Sequence, residues 1–375
     1  MAHISDTAKN TPDQPAIIMA SSGQSLSYKE LDEQSNRVAQ LFRSLGLNRG
    51  DHIGMMMENC LEFLVIAQAA ARSGIIYTPI STHLRTEETQ YILENCGAKL
   101  FISSQKLSVT AADLVGGVEA IEHFYMLRGV CAGFASWEEA IAAQPDTPIE
   151  DESLGTAMLY SSGTTGQPKG IMPLMDETDI HAVSPVLQGF AMVFGFDENT
   201  VYLSPAPLYH AAPLHYNNMV LALGGTTVVM EKFDAEQALL NIEKYAITHS
   251  QWVPIMFIRM LKLPEATRAS YDVSSLKVAI HAAAPCPIEV KEQMINWWGE
   301  VIFEYYAGSE GSGMTIVDSA NWLTHKGTVG QPLVGEIHIC DEDGNEVAQG
   351  EVGTVYFANG PAFEYHNEPE KTKGS

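Results

Sequence analysis

The segment at residues 160–170, YSSGTTGQPKG, combines glycines, hydroxyl side chains and one lysine. Glycine lets a backbone curve closely around a ligand, and backbone N–H groups and hydroxyls can donate hydrogen bonds to phosphate oxygens. Each hydrogen bond to a charged oxygen contributes about 1.5–3 kcal/mol. The pattern is not a Walker loop, because Pro168 stands five residues after Gly163, where that motif requires glycine. Two interpretations stay open from composition alone: a polyphosphate-binding loop and an ordinary surface turn. The candidate ligand-binding residues are Ser161, Ser162, Gly163, Thr164, Thr165, Gly166 and Lys169.

Alternating helix and strand patterns surround this loop. Ser27 and Glu30 form a capping-box pattern, and apolar residues then recur at helical spacing up to Gly46. Further along, the first 130 residues predict strands at 52–57, 75–80 and 99–103, with helices at 61–72 and 87–95. Such alternation is typical of right-handed βαβ units and a mostly parallel sheet.

The alternation resumes after an acidic, proline-containing connection at residues 131–155. Strands are predicted at 156–160, 201–204, 226–230, 249–253, 277–281 and 301–305, with helices at 235–245 and 288–298. Four of these strands run into small-residue or proline-rich segments: SSGTTG, PAPLYHAAP, AAAPCP and AGSEGSG. Ligands of open α/β sheets bind beyond the carboxyl ends of the strands, so we expect these segments to build one site.

From Gly327 onward, short β-type runs at 336–340 and 354–357 alternate with turn sequences, which predicts a small β subdomain. The expected architecture is therefore α/β. It has two mostly parallel βαβ subdomains packed together, at residues 1–150 and 151–325, and a small β-barrel-like subdomain at 326–375.

The charge balance narrows the classes of partner. The chain carries 21 Lys and Arg against 46 Asp and Glu, a formal net charge of −25. This charge argues against nucleic acid and anionic membrane surfaces as partners. The N-terminus lacks a secretory pattern, and the longest apolar stretch, at 61–71, is too short to span a bilayer. Five scattered cysteines fit neither a disulfide framework nor a zinc site, and we expect reduced thiols in a cytoplasmic protein.

The loop and five further segments, in the same order along the chain, resemble the adenylate-forming superfamily. That superfamily includes acyl-CoA synthetases, peptide-synthetase adenylation domains and luciferases. The further segments are 207–210, 282–285, 306–310, 327–360 and 365–372, so the resemblance covers essentially the whole chain.

The resemblance implies roles for single residues that ordinary sequence reasoning leaves open. Alone, His210 reads equally well as a core histidine, Glu310 as a solvated acid and Trp252 as plain core. By resemblance, Lys169 and its loop contact the β- and γ-phosphates, and Glu310 holds magnesium. The implied catalytic set is Lys169, His210, Ser309 and Glu310. By resemblance the strip 282–285 lies against the adenine, Tyr306 stacks on it and the Ser309 hydroxyl contacts the phosphate. The implied nucleotide set therefore adds Ala282, Ala283, Ala284, Pro285, Tyr305, Tyr306, Ala307, Gly308 and Ser309. The implied acyl pocket comprises His210, Trp252, His281 and Gly308.

The activity implied by the resemblance is that of an AMP-forming carboxylate–CoA ligase. ATP, Mg²⁺ and coenzyme A would take part, and the acid would be hydrophobic: fatty, aromatic or of steroid type. We expect no nucleic-acid partner and no integral membrane association, with a homodimer as the candidate assembly. Two alternatives stay open: a nucleotide- or acyl-binding module without catalysis, and an amino-acid-adenylating domain. The second is disfavoured because those domains use an aspartate just after the position matching Tyr209, where this chain has His210-Ala211-Ala212.

Three departures from the family pattern qualify these expectations. Ala307 stands where glycine is usual, which requires a negative φ. Residues 172–174, Met-Pro-Leu, replace the usual Thr-His at a helix start. The sequence ends at Ser375, before the family's mobile C-terminal domain and its catalytic lysine, so we expect the chain to lack full turnover.

Overall fold

The computed structural model describes residues 3–161, 167–172, 175–182 and 185–373. The chain forms two units, residues 1–233 with 365–375, and residues 234–364. The finer boundaries expected at residues 150 and 325 stay predictions. Among the residues described, no helix combines the length and apolar character needed to cross a membrane.

Helices and strands alternate along most of the described chain. The helices are α1 (Ile4–Asn10), α2 (Tyr28–Ser44), α3 (Leu61–Ser73), α4 (Thr86–Cys96), α5 (Ser108–Ala112), α6 (Trp137–Ala142), α7 (Pro185–Phe194), α8 (Ala211–Ala222), α9 (Ala235–Lys244), α10 (Pro254–Leu261), α11 (Glu265–Ala269), α12 (Ile288–Trp298), α13 (Ser319–Thr324) and α14 (Pro369–Lys373). The strands are β1 (Pro15–Met19), β2 (Ser25–Ser27), β3 (His52–Met56), β4 (Ile76–Pro79), β5 (Ala98–Ser104), β6 (His123–Leu127), β7 (Ala135–Ser136), β8 (Thr156–Ala157), β9 (Leu159–Tyr160), β10 (Gly170–Met172), β11 (Val201–Ser204), β12 (Thr226–Val229), β13 (His249–Trp252), β14 (Val278–His281), β15 (Ile302–Ala307), β16 (Met314–Val317), β17 (Gln331–Val334), β18 (Glu336–Cys340), β19 (Thr354–Ala358) and β20 (Glu364–Tyr365).

The first unit contains a parallel six-stranded sheet of order β7-β6-β5-β3-β4-β8. The capping box predicted for α2 is confirmed: the Ser27 N–H donates to the Glu30 carboxylate at 2.8 Å, and the Glu30 N–H donates to the Ser27 hydroxyl at 3.3 Å. Gly46 has a φ of 78°, a conformation that suits glycine after a helix. The predicted βαβ organisation is therefore confirmed in this sheet.

Two smaller groups of strands complete the first unit. Strands β11, β12 and β1 run parallel, with β2 antiparallel at the edge, and β9 and β10 pair antiparallel beside β20. The single strand predicted at 156–160 is wrong, because the chain divides it into β8 and β9. Strand β8 pairs with β4, whereas β9 pairs with β10, and these partners belong to different sheets. Tertiary pairing decides this division, and the local sequence does not reveal it.

The second unit is built on parallel strands β13, β14 and β15, which β16 and β17 extend in antiparallel fashion. The register pairs Trp252 with His281 and His281 with Glu304, so these residues lie in one row across the strands. The predicted β-rich region contributes β17 to this sheet and forms the antiparallel pair β18–β19. The expectation of an α/β fold with mostly parallel sheets is confirmed.

Candidate functional site

Strands β9 and β10 form an antiparallel pair, here called the hairpin, at the two described ends of the glycine-rich segment 160–170. Strands β9 and β10 pair Tyr160 with Gly170, and the Ser161 N–H donates to the Lys169 carbonyl at 2.9 Å. The predicted ligand-binding residues Ser162, Gly163, Thr164, Thr165 and Gly166 lie outside the described residues. The hairpin therefore holds both ends of the predicted phosphate loop together.

Lys169, at the exit of this loop, points to an aromatic neighbour from the end of the sequence. Its Nζ lies 4.8 Å from the centre of the Tyr365 ring. The next residue, His366, donates its N–H to the Gly170 carbonyl at 2.8 Å. Sequence reasoning recognised Tyr365 only as part of a family segment and did not pair it with Lys169.

His210 precedes the first turn of α8, and its ring lies 4.6 Å from the ring of Tyr209 between centroids. Partial burial lowers the pKa of His210, and His83 lowers it further by repulsion of the protonated form. The imidazole is therefore neutral at pH 7, with one nitrogen as donor and the other as acceptor. This state suits a group that orients a polar atom of a ligand.

The small-residue strip 282–285 follows β14 directly. Ala282 is buried, whereas Ala283, Ala284 and Pro285 are exposed. Ala283 has a φ of 73°, a left-handed conformation that is unusual for a residue with a side chain. Such strain persists where surrounding structure enforces it and is common at ligand sites. The strip thus presents exposed residues with little side-chain bulk, which a planar ring can approach closely.

The segment 305–310 lies at the end of β15. The Tyr306 ring is 45% exposed and stacks on Phe357 with centroids 6.2 Å apart and an interplanar angle of 28°. Burial raises the pKa of Tyr305 to about 12. Ala307 lies within β15 and is not among the described residues with positive φ, so this departure from glycine causes no backbone strain.

The turn after β15 brings a carboxylate close to the backbone. A Cβ atom on Gly308 would lie 2.7 Å from a carboxylate oxygen of Glu310, so glycine leaves the space that this carboxylate occupies. Carboxylate oxygen is a ligand that Mg²⁺ prefers, and magnesium usually takes one or two carboxylates together with substrate phosphates. Glu310 therefore fits the predicted metal role, and Ser309 lies exposed beside it.

Trp252 and His281 lie in a buried aromatic cluster of the second unit. Both side chains are fully buried, and the His281 ring lies 5.5 Å from that of Phe257. The Trp252 Nε1–H donates to the Ser250 hydroxyl at 2.7 Å, and its ring packs against Trp298. Burial lowers the pKa of His281 to about 3, and the positive charge of Lys291 adds to the effect. His281 is therefore a neutral side chain at the end of β14.

A buried ion pair beside His281 was missed by sequence reasoning. The Lys291 ammonium on α12 contacts the Glu304 carboxylate on β15 at 2.6 Å, and His281 Nε2 lies 3.5 Å from the same oxygen. Burial lowers the pKa of Lys291, although Glu304 acts in the opposite direction. The sequence contains a signal for this pair. Lys291 occupies the buried stripe of α12 with Met294, Ile295 and Trp298, and Glu304 shares the inward face of β15 with Ile302.

A model of the family described as AMP-binding enzyme matches residues 4–363. The chain belongs to this family. Among curated relatives, 4-coumarate–CoA ligase 3 of Oryza sativa subsp. japonica is 27% identical over 383 residues, which cover 96% of this chain and 66% of the relative. The chain thus spans about two thirds of the length of that relative.

Solved structures share the fold of this chain. The N-terminal domain of FACL13 from Mycobacterium tuberculosis superposes with a TM-score of 0.81 at 23% identity, covering 99% of this chain and 92% of that chain. The ATP-bound structure of MatB from Rhodopseudomonas palustris superposes with a TM-score of 0.80 at 25% identity, covering 100% of this chain and 74% of that chain. The likeness to the FACL13 domain, at 23% identity, shows a shared fold alone.

In this AMP-binding enzyme, the predicted site residues divide between the two units. The first unit holds Ser161, Lys169 and His210. The second unit holds the residues predicted to contact the base, the metal and part of the acyl group: Trp252, His281, Ala282, Ala283, Ala284, Pro285, Tyr305, Tyr306, Ala307, Gly308, Ser309 and Glu310. Within the second unit, the register brings His281 and Trp252 together, and Gly308 lies next to Glu310. The roles of all these residues stay predictions.

Replacing one partner of the buried ion pair should destabilise the protein more, relative to the size of the change, than replacing both partners together. Lys291→Met or Glu304→Leu alone leaves one buried charge without its partner, and we expect each to lower the free energy of unfolding by about 3–5 kcal/mol. The double variant buries no unpaired charge and should be clearly more stable than the sum of the single effects implies. Urea denaturation measures all three. Lys326→Met, which breaks the exposed pair with Glu292, is the control and should cost about 1 kcal/mol or less. Additive losses in the double variant would contradict this account.

Acid should destabilise the protein through its buried histidines. The pKa of His281 is lowered to about 3 in the folded protein. As the pH falls below 6.5, this imidazole therefore binds a proton in the unfolded chain but not in the folded chain. The stabilising contribution is complete above pH 6.5 and is lost as the pH falls toward 3, at about 1.4 kcal/mol per pH unit. His3 and His52, with pKa values lowered to about 3 and about 4, act in the same direction. Urea denaturation between pH 6.5 and pH 4.5 should give a shallower pH slope for His281→Gln than for the wild type. The surface variant His325→Gln is the control, and an unchanged slope in His281→Gln would refute the assignment.

Proposed function

We propose that this chain carries the ATP-handling site of an AMP-forming carboxylate–CoA ligase. The observation that supports the proposal is the family match over residues 4–363, together with a CoA ligase as a relative over nearly the whole chain. In the first half-reaction, a carboxylate oxygen attacks the α-phosphorus of ATP and pyrophosphate leaves. In the second, the coenzyme A thiol attacks the acyl carbonyl, AMP leaves, and the thiol proton passes to solvent.

The proposed phosphate side of the site consists of Lys169, the loop residues 161–166, Ser309 and Glu310. An ATP molecule must be held by local positive charge and hydrogen-bond donors, because the chain as a whole carries a charge of −25. Lys169 supplies an ammonium for the β- and γ-phosphates, and Ser309 supplies a hydroxyl donor. A magnesium ion, when bound, would neutralise phosphate charge, and Glu310 would hold it through a carboxylate oxygen.

The proposed base side consists of the strip 282–285 and the segment 305–308. Tyr306 already stacks on Phe357, and its exposed fraction leaves ring surface for an adenine. Stacking of a base on an aromatic ring contributes about 1–3 kcal/mol. Ala283 and Ala284 are exposed and have small side chains, so the same base can approach them closely.

The proposed acyl side consists of His210, Trp252, His281 and Gly308. Burial lowers the pKa of both histidines, so these four residues carry no positive charge at neutral pH. This favours an acid with an uncharged, hydrophobic tail, such as an aromatic or fatty acid. A cytoplasmic location and a homodimer stay predictions.

Acid-dependent adenylate formation tests the reaction. The 375-residue chain is incubated with ATP, Mg²⁺ and single acids: short, medium and long fatty acids, 4-coumarate, a steroid acid and amino acids. We expect acyl-AMP, detected by mass spectrometry, and a preference of at least about tenfold for a hydrophobic acid over glycine, because one missing methylene alone costs about 1–3 kcal/mol. Nucleotide binding without any acyl-AMP would instead favour a binding module, and a preference for amino acids would favour an amino-acid-adenylating domain.

Two variants separate the phosphate side from the base side. Lys169→Ala should weaken ATP binding about tenfold or more and leave AMP binding within about twofold, because the lysine faces only the distal phosphates. Tyr306→Ala should weaken both nucleotides by about 1–3 kcal/mol, because both share the adenine. Isothermal titration calorimetry measures the dissociation constants. Tyr356→Ala removes a comparably exposed tyrosine from β19 and is the control. Equal losses of ATP and AMP in Lys169→Ala would overturn the assignment of that lysine.

A further inference from the structure

The contact between Lys169 and Tyr365 joins two residues about 200 positions apart in the sequence. The Lys169 ammonium lies 4.8 Å from the ring centre, within the distance of about 6 Å over which a cation is attracted to an aromatic face. Lysine carries its charge on a flexible stem of four carbons, and an unheld side chain samples many rotamers. The ring of Tyr365 therefore restricts where this charge lies.

Tyr365 is itself held by hydrogen bonds of the backbone around it. Its N–H donates to the Thr372 hydroxyl at 3.0 Å, which joins the segment to α14. The following N–H, of His366, donates to the Gly170 carbonyl at 2.8 Å, directly after Lys169. The backbones that carry the ring and the lysine are thus held next to each other by the hydrogen bond between His366 and Gly170.

A common anchor, Asn95, holds both the hairpin and the Tyr365 segment. The Tyr160 hydroxyl donates to the Asn95 side-chain carbonyl at 2.5 Å, and the Asn367 side chain donates to the Asn95 backbone carbonyl at 3.1 Å. A Cβ atom on Gly170 would lie 3.1 Å from the Tyr160 ring and 3.3 Å from the His366 Cβ. The glycine therefore permits the close approach that brings Tyr365 to the loop exit.

We propose that Tyr365 is a positioning residue that holds the Lys169 ammonium in place for the distal phosphates of ATP. The inference rests on the phosphate-binding role of Lys169 in the proposed function. Holding the lysine before the ligand arrives lowers the entropy lost on binding. The attraction to a ring is weak beside that of a polyphosphate, so the ammonium can pass from the ring to phosphate oxygens without a large cost.

A double-mutant cycle tests this role in the full 375-residue chain. We expect Tyr365→Leu to raise the dissociation constant for Mg–ATP about three- to tenfold and to leave that for AMP unchanged. In the Lys169→Ala background, Tyr365→Leu should have no further effect on ATP binding, because the residue acts through the lysine. Tyr365→Phe keeps the ring face and should bind ATP like the wild type.

A shape-preserving variant covers the case in which Tyr365→Leu fails to fold. Replacement of Tyr365 by pentafluorophenylalanine keeps an aromatic ring of similar size but removes the negative charge on its face, so it should weaken ATP binding as Tyr365→Leu does. Tyr245→Leu is the matched control, because Lys244 lies 4.5 Å from the Tyr245 ring in a cation–π pair at the C-terminal end of α9. It should leave ATP binding unchanged.

The outcomes separate this inference from the proposed function. If the wild type binds neither ATP nor AMP, both fail. If Lys169→Ala weakens ATP selectively but Tyr365→Leu and the fluorinated variant do not, the positioning role alone fails. Equal losses of ATP and AMP on changing Tyr365, persisting in the Lys169→Ala background, would show a merely structural role and also overturn the inference.

Discussion

In the second unit, a buried charge pair and a strand register determine where the candidate base-binding segments lie. Parallel strands β13, β14 and β15 place Trp252, His281 and Glu304 in one row, so a carboxylate is carried into the interior beside an imidazole. A buried carboxylate needs a partner, and Lys291 supplies it from α12. This pair joins the helix that follows the strip 282–285 to the strand that leads into residues 306–310. The left-handed backbone at Ala283 is sustained because both ends of the strip are held, one by β14 and the other by α12.

In the first unit, hydrogen bonds hold the two ends of the predicted phosphate loop. A loop that binds phosphates needs backbone groups free for the ligand, so its own conformation must be maintained from its ends. Here β9 and β10 form the hairpin, and β20 adds a third strand beside β10. Asn95 connects β9 to the turn after β20, because its side-chain carbonyl accepts from Tyr160 and its backbone carbonyl accepts from Asn367. The cation at the loop exit thus belongs to a region with several independent anchors.

The parts of this fold that sequence reasoning predicts are those decided by neighbouring residues. Helices α2 and α12 and strands β11 and β18 follow from capping, apolar periodicity and turn residues, and the structure confirms them. The division of residues 156–160 into two strands follows from partners far along the chain, and local patterns do not contain that information. The candidate site divides in the same way. The segments 282–285 and 306–310 are recognisable as strings, whereas the Lys291–Glu304 and Lys169–Tyr365 pairs arise only when distant strands and helices meet. A charged residue on an apolar stripe, as Lys291 is, was the available signal, since burial there demands an opposite charge.

A chain with a large net negative charge can still bind ATP, because the ligand is affected mainly by the charges close to it. At physiological ionic strength, interactions between exposed charges fade over about 8 Å, so most of the 46 acidic residues contribute little at any one phosphate. The charges within contact distance of the ligand decide its binding, and the candidate residues differ in the charge that they offer. The histidines at 210 and 281 are kept neutral by lowered pKa values, and the Lys291 charge is matched by Glu304 inside the second unit. Lys169 is different, because an aromatic face attracts its ammonium without neutralising it. A cation held by a ring retains its full charge for a phosphate, whereas one held by a carboxylate would have to give up an ion pair first.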